Sequence, residues 1–69
     1  MKSDLMVHNA NQIALYFASF PHEEAVAGVA DHIKKFWEPR MRRQLDEYLA
    51  QGGGGLHALV PEAVSVLHA

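Results

Sequence analysis

Five histidines in a chain of 69 residues are the first place to look for metal or acid–base chemistry. They are His8, His22, His32, His57 and His68. A helix that holds a metal presents two imidazoles three or four residues apart, so that both reach one ion, as in His-Glu-x-x-His. No two of the five have that spacing, and the absence of cysteine removes every thiolate site. Local hydrogen bonding is their expected use. The adjacent acids Glu23 and Glu24, and Asp46 and Glu47, diverge by about 100° on a helix and do not form an acid/base pair. Serine occurs only as Ser3, Ser19 and Ser65, threonine is absent, and no Gly-x-Ser-x-Gly turn offers a nucleophile. The run "GGGG", Gly52 to Gly55, suggests a phosphate cradle, but such a loop needs a preceding strand and a Gly-Lys-Ser/Thr ending. Leu56 and His57 follow it instead. The expectation is a helix stop and a flexible linker, about 14 Å long at full stretch, that lets the last helix fold back or reach away.

A different chemistry is concentrated in "DHIKKFWEPRMRRQL", Asp31 to Leu45. It holds five of the six basic residues and the only tryptophan of a chain with formal charge -2. Lys34 and Lys35 lie near the end of a helix, where cations complement the dipole, and can pair as Asp31–Lys35 and Lys34–Glu38. Arg40, Arg42 and Arg43 crowd the start of the next helix, where each cation costs about 0.3 to 1 kcal/mol. Pairs Arg42–Asp46 and Arg43–Glu47 would return about 0.2 to 0.5 kcal/mol each, in the weaker order with the cation N-terminal. The local balance is near zero or slightly unfavourable, so a solvated face and a contact with carboxylates elsewhere stand about level. Beside the arginines, Phe36 and Trp37 diverge by about 100°, which sends one to the core and the other sideways. Trp with neighbouring Arg is the composition of interface hot spots.

The elements that position these residues are helices, and the fold class is all-α: a small bundle of three helices plus a short C-terminal helix after a glycine linker. No segment alternates as a half-buried strand does. A first helix from about Asp4 to Ser19, capped by Ser3 or Asp4, carries a stripe of Met6, Ala10, Ile13, Phe17 and Phe20. A second opens at Pro21 with Glu23 and Glu24 in its first turn and carries Val26, Val29, Ala30, Ile33 and Phe36 or Trp37. Gly28 inside it costs up to about 1 kcal/mol relative to Ala, which is either the cost of close approach by another helix or simply tolerated, the two standing level. Glu38 before Pro39 disfavours helical backbone and stops the second helix near Trp37. Pro39 opens the third, with Met41, Leu45, Tyr48 and Leu49 inward, and Gly52 suits the left-handed position after its end. Leu56, Leu59, Val60, Ala63, Val64 and Leu67 mark a fourth helix from about Pro61, too short to be stable unless docked.

Sixty-nine residues form one domain, which buries only about 60% of its unfolded surface and is marginally stable. Without disulfides or a thiolate metal site, a partner is the leading source of extra stability. The apolar content of 49% belongs to a folded protein, and no apolar run approaches the ~18 residues of a membrane span. No signal peptide is visible, so a soluble, cytoplasmic protein is expected. Net acidity gives no general attraction to nucleic acid or anionic membranes.

"ANQIALYF" (Ala10 to Phe17), "DHIKKFWEPRMRRQL" and "GGGGL" (Gly52 to Leu56), in this order and spacing, resemble the delta subunit of NAD-dependent formate dehydrogenases. The resemblance runs from about Leu5 to Leu67, and its specific part is Phe-Trp-x-Pro-Arg-Met-Arg. The motif positions are Asn11, His32, Phe36, Trp37, Pro39, Arg40, Met41 and Arg42, with Gly52, Gly53 and Gly55. The resemblance implies a non-catalytic subunit of a cytoplasmic molybdenum enzyme. Its alpha subunit would carry bis-molybdopterin guanine dinucleotide and iron–sulfur clusters, and its beta and gamma subunits FMN and further clusters leading to NAD. It also implies that this chain holds no redox centre and supports stability or maturation of the complex.

The expected role is therefore an accessory subunit docking on the catalytic alpha subunit, with no catalytic, cofactor-binding or metal residue of its own. The expected contacts are Phe36 or Trp37 as apolar anchor and Arg40, Arg42 and Arg43 against acidic groups. Two alternatives stay open. A transient factor for molybdenum cofactor insertion would be absent from the purified active enzyme. A small helical nucleic-acid binder using Lys34 to Arg43 would show steep salt dependence, and the net acidity disfavours it.

Overall fold

The computed structural model describes residues 3–68, and these form four helices: α1 Ser3–Phe17, α2 His22–Phe36, α3 Pro39–Ala50 and α4 Leu59–Leu67. The side chain of Ser3, an expected cap of α1, lies outside the described residues, while Asp4 stands in the first turn. α2 is central. α4 packs most extensively against it, α1 next, and α1 also touches α3 and α4. The radius of gyration, 10.8 Å, compares with about 11 Å for a compact chain of this length and leaves no room for an outstretched α4.

Apolar spacing accounts for what each helix buries. α2 sends Ala25, Val26, Val29, Ala30 and Ile33 inward, α3 sends Leu45, and α4 sends Leu59, Val60, Ala63 and Val64. In α1 the deepest line is Met6, Ala10 and Ala14, with Ile13 and Phe17 half-buried at its side. The small side chains at 10 and 14 let α1 lie close to its neighbours. Phe20, expected on that stripe, is 41% exposed, because α1 ends at Phe17 rather than Ser19. There the amides of Ala18 and Phe20 turn back on the carbonyls of Leu15 and Phe17.

For Gly28 the structure shows the close approach. A Cβ there would stand 2.5 Å from two atoms of the Phe17 ring, so the missing side chain is what lets Phe17 lie on α2. The α2–α3 corner is equally local in origin. Trp37 and Glu38 are both extended, as the residue before a proline must be, and Pro39 begins α3. The Trp37 amide donates to the carbonyl of Ile33, and its indole is buried in the core.

The glycine run is a built turn rather than a slack linker. Past α3, Gly52 N–H donates to Leu49 C=O and Gly53 N–H to Tyr48 C=O, both at 3.0 Å. This is the paired pattern that closes a helix with a left-handed residue, and Gly52 and Gly53 both have positive φ. The Tyr48 hydroxyl donates to the carbonyl of Gly54. The side chain of Asn11 then clamps the far end from α1: its amide donates to the carbonyl of Gly55 at 2.9 Å and its oxygen accepts the His57 N–H at 2.8 Å. His57 Nδ1 in turn accepts the Leu59 N–H at 3.1 Å, so the ring satisfies one of the free amides at the start of α4. α4 accordingly begins at Leu59, two residues before Pro61, which falls in its first turn where no amide is missed. Two exposed histidine–carboxylate contacts tether α4 further, His22–Glu62 at 2.7 Å and His68–Asp46 at 2.9 Å. Exposed contacts of this kind contribute at most about 1 kcal/mol each.

Two outcomes follow from this packing. Gly28→Ala improves helix propensity by up to about 1 kcal/mol but should destabilise the protein by about 1 to 2 kcal/mol net, through the overpacked Phe17 ring. In a Phe17→Ala background the same change should become stabilising, and urea unfolding followed by circular dichroism reads both signs. Asn11→Ala should cost about 1 to 3 kcal/mol and speed hydrogen exchange at the His57 amide. Mid-helix amides of α2 should lose protection only as far as global stability falls.

Candidate functional site

α2 presents two further faces, one on each side of its buried stripe, and they differ in chemistry. At 100° per residue, Ala27, Asp31 and Lys34 lie on one flank, and Gly28, His32 and Phe36 on the other.

On the first flank α2, α3 and α4 enclose an open groove of about 640 Å³. Ala27, Ala30, Val64, Val66 and Leu67 give it apolar walls, and Lys34, Arg42 and Arg43 bring cations to it. The acids in the lining, Asp31 and Asp46, are already engaged. Asp31 pairs with Lys35 at 3.1 Å, as expected from their spacing, and Asp46 accepts from His68 at 2.9 Å. The expected pairs Arg42–Asp46, Arg43–Glu47 and Lys34–Glu38 do not form. Among the described residues Lys34, Arg40, Arg42 and Arg43 make no ion pair. His68 arrives at Asp46 because α4 folds back, a tertiary competitor that wins over the weakly oriented i,i+4 contact. Among the described residues, then, no acid offsets the unfavourable place of the arginines at the start of α3.

On the second flank a groove of about 450 Å³ runs between α1 and α2, lined by Gln12, Ile13, Tyr16, Phe17 and His32. Tyr16 and Phe17 meet edge to face at 4.9 Å, and Phe17 and Phe20 pack at 5.4 Å. Across the groove His32 stacks on Phe36 at 4.7 Å, one helical turn away. Tyr16 is 69% and Phe36 71% exposed. The exposed rings of Tyr16, Phe20 and Phe36 make this flank of the chain predominantly aromatic.

The structure thus divides the residues expected to meet a partner. Trp37 lies in the core at 7% exposure, so it is not available as a surface anchor, and Phe36 is the aromatic that faces outward. Arg42 and Arg43 line the basic groove; Arg40 is exposed but lies outside both groove linings. Reading the sequence did not pick out Tyr16 and Phe20 as a surface pair, although their four-residue spacing at the end of a helix is a usable signal. Nor did it assign Asn11 its clamp, since its partners are more than forty residues away. Among the described residues no three His, Asp or Glu side chains gather as a metal-ligand set, and no helix is long and apolar enough to cross a membrane.

A family model described as the NADH-dependent formate dehydrogenase delta subunit FdsD matches residues 6–64. The match begins in the buried face of α1 and ends in that of α4, so it takes in the aromatic flank, the Trp37–Pro39 corner, both arginines of the groove and the Asn11-clamped turn. No curated protein and no solved structure matches the chain. On the family match over nearly its whole length, the chain belongs to the delta subunits of NADH-dependent formate dehydrogenases.

Proposed function

We propose that this chain is a non-catalytic accessory subunit that docks on the catalytic alpha subunit of a cytoplasmic, NAD-dependent molybdenum formate dehydrogenase and supports assembly or stability of the complex. Family membership supplies the enzyme, and the observation that carries docking is the exposed aromatic surface of Tyr16, Phe20, His32 and Phe36. A small domain gains stability by covering such a surface, since each large ring removed from water contributes about 1.5 to 3 kcal/mol. In this reading Phe36 is the anchor. Trp37 acts from the core by fixing the corner from which Phe36 projects, and Arg40, Arg42 and Arg43 supply charge at the contact. The molybdenum cofactor, iron–sulfur clusters and FMN belong to the alpha, beta and gamma subunits, and neither nucleic acid nor membrane is a partner.

Co-expression of the tagged chain with the other subunits, followed by purification of active enzyme, tests this. The chain should be retained in fixed stoichiometry; enzyme that is fully active and stable after losing it would point instead to a transient maturation factor. Tyr16→Ser with Phe36→Ser alters only exposed side chains, so the fold should persist while retention falls at least about tenfold, as for loss of an interface hot spot. Undiminished retention of that variant would remove the aromatic surface from the contact.

A further inference from the structure

We propose that the groove between α2, α3 and α4 receives an acidic amphipathic helix of a partner protein, with apolar side chains against Val66 and Leu67 and carboxylates on Arg42, Arg43 and Lys34. This rests on the accessory-subunit reading for the partner and adds the chemistry of the segment it contributes.

Charge complementarity carries the inference. In a chain of net charge -2, three cations converge on one groove, while both acids lining it are held by Lys35 and His68. With three cations against two carboxylates the groove keeps a positive balance, and among the described residues no acid pairs with Lys34, Arg42 or Arg43. Arg42 closes the first turn of α3 and Arg43 opens the second, so at this helix start the dipole makes an approaching carboxylate more welcome than the cation of Arg42 itself. A carboxylate held by their guanidinium forks would offset both repulsions at once, and the fork geometry suits that ligand. Between the cations the walls are apolar, and Val66 is 51% exposed in the free chain. An occupant must therefore carry an apolar face and flanking acids together. Three helices frame the groove and no strand edge is available among the described residues, so side chains spaced three and four apart on a helix are the fitting ligand rather than an added strand. A nucleic-acid backbone would satisfy the cations but leave the apolar surface of Val66 and Leu67 uncovered.

A photo-crosslinking residue in place of Val66, and separately of Ala27, tests this in the co-expressed complex, with one in place of Leu15 as a control outside both grooves. Mass spectrometry of the linked peptides should place both groove positions on one partner segment of net negative charge with helical apolar spacing, and Leu15 elsewhere. Arg42→Glu with Arg43→Glu keeps good helix formers at both positions, and circular dichroism should confirm that α3 is retained despite the new i,i+4 acid pairs with Asp46 and Glu47. Retention in the complex should nevertheless fall at least about tenfold at about 0.15 M salt, as for reversal of close interfacial charges. Groove cross-links to a neutral or basic segment or to nucleic acid, or full retention of the doubly reversed chain, would overturn the inference and leave the accessory-subunit reading standing. Failure of the unaltered chain to join the complex would overturn both.

Discussion

The return of α4 onto α2 is the interaction on which the rest of this structure depends. A nine-residue helix has no stability of its own in water, so α4 exists only because Leu59, Val60, Ala63 and Val64 are buried against its neighbours. In exchange it packs along α2, whose Val29 and Ile33 a chain this small must bury to have a core at all. The devices around it all serve that return. Positive-φ glycines reverse the chain after α3, Asn11 clamps the turn from α1, His57 caps the new helix, and exposed histidines tie its two ends to α2 and α3. None of these contacts is strong alone, and their number compensates for the brevity of the helix they hold.

The same return creates the basic groove. Without α4 there would be no second wall opposite Lys34 and Arg42, and without His68 the carboxylate of Asp46 would be free to meet an arginine. Folding thus removes the internal partner of the cations while building an apolar surface beside them. On the other flank of α2 a single absent side chain has a comparable effect. Gly28 lets Phe17 lie close on the helix, which brings the aromatic end of α1 beside His32. One central helix therefore separates an aromatic surface from a basic one, and the buried Trp37 at its end fixes how α3 leaves it.

Both surfaces suit a member of a delta-subunit family, as contacts such a subunit could make. A core this size leaves little margin, and the features that look costly in the isolated chain, exposed rings and uncompensated arginines, are those a partner can convert into stabilising contacts. They also differ in kind. Aromatic burial is insensitive to salt and supplies affinity, whereas the cations set orientation and approach.

Four helices, their order and nearly all of their inward residues were legible in the sequence, because apolar spacing, prolines and the glycine run are local signals that act before any tertiary contact forms. The stripe of α4 was complete, and the α2–α3 break at Glu38-Pro39 followed from backbone sterics alone. The likeness of the central block to its family was read from residue types and spacing. Tertiary structure decided what depends on residues distant in sequence. It chose Trp37 over Phe36 for the core, since spacing made them equivalent and only the corner geometry distinguishes them. It gave Asp46 to His68 rather than to Arg42, and made a fixed turn of four glycines whose conformational freedom says nothing about Asn11. Local rules propose which contacts are possible; competition among side chains brought together by the fold determines which are made.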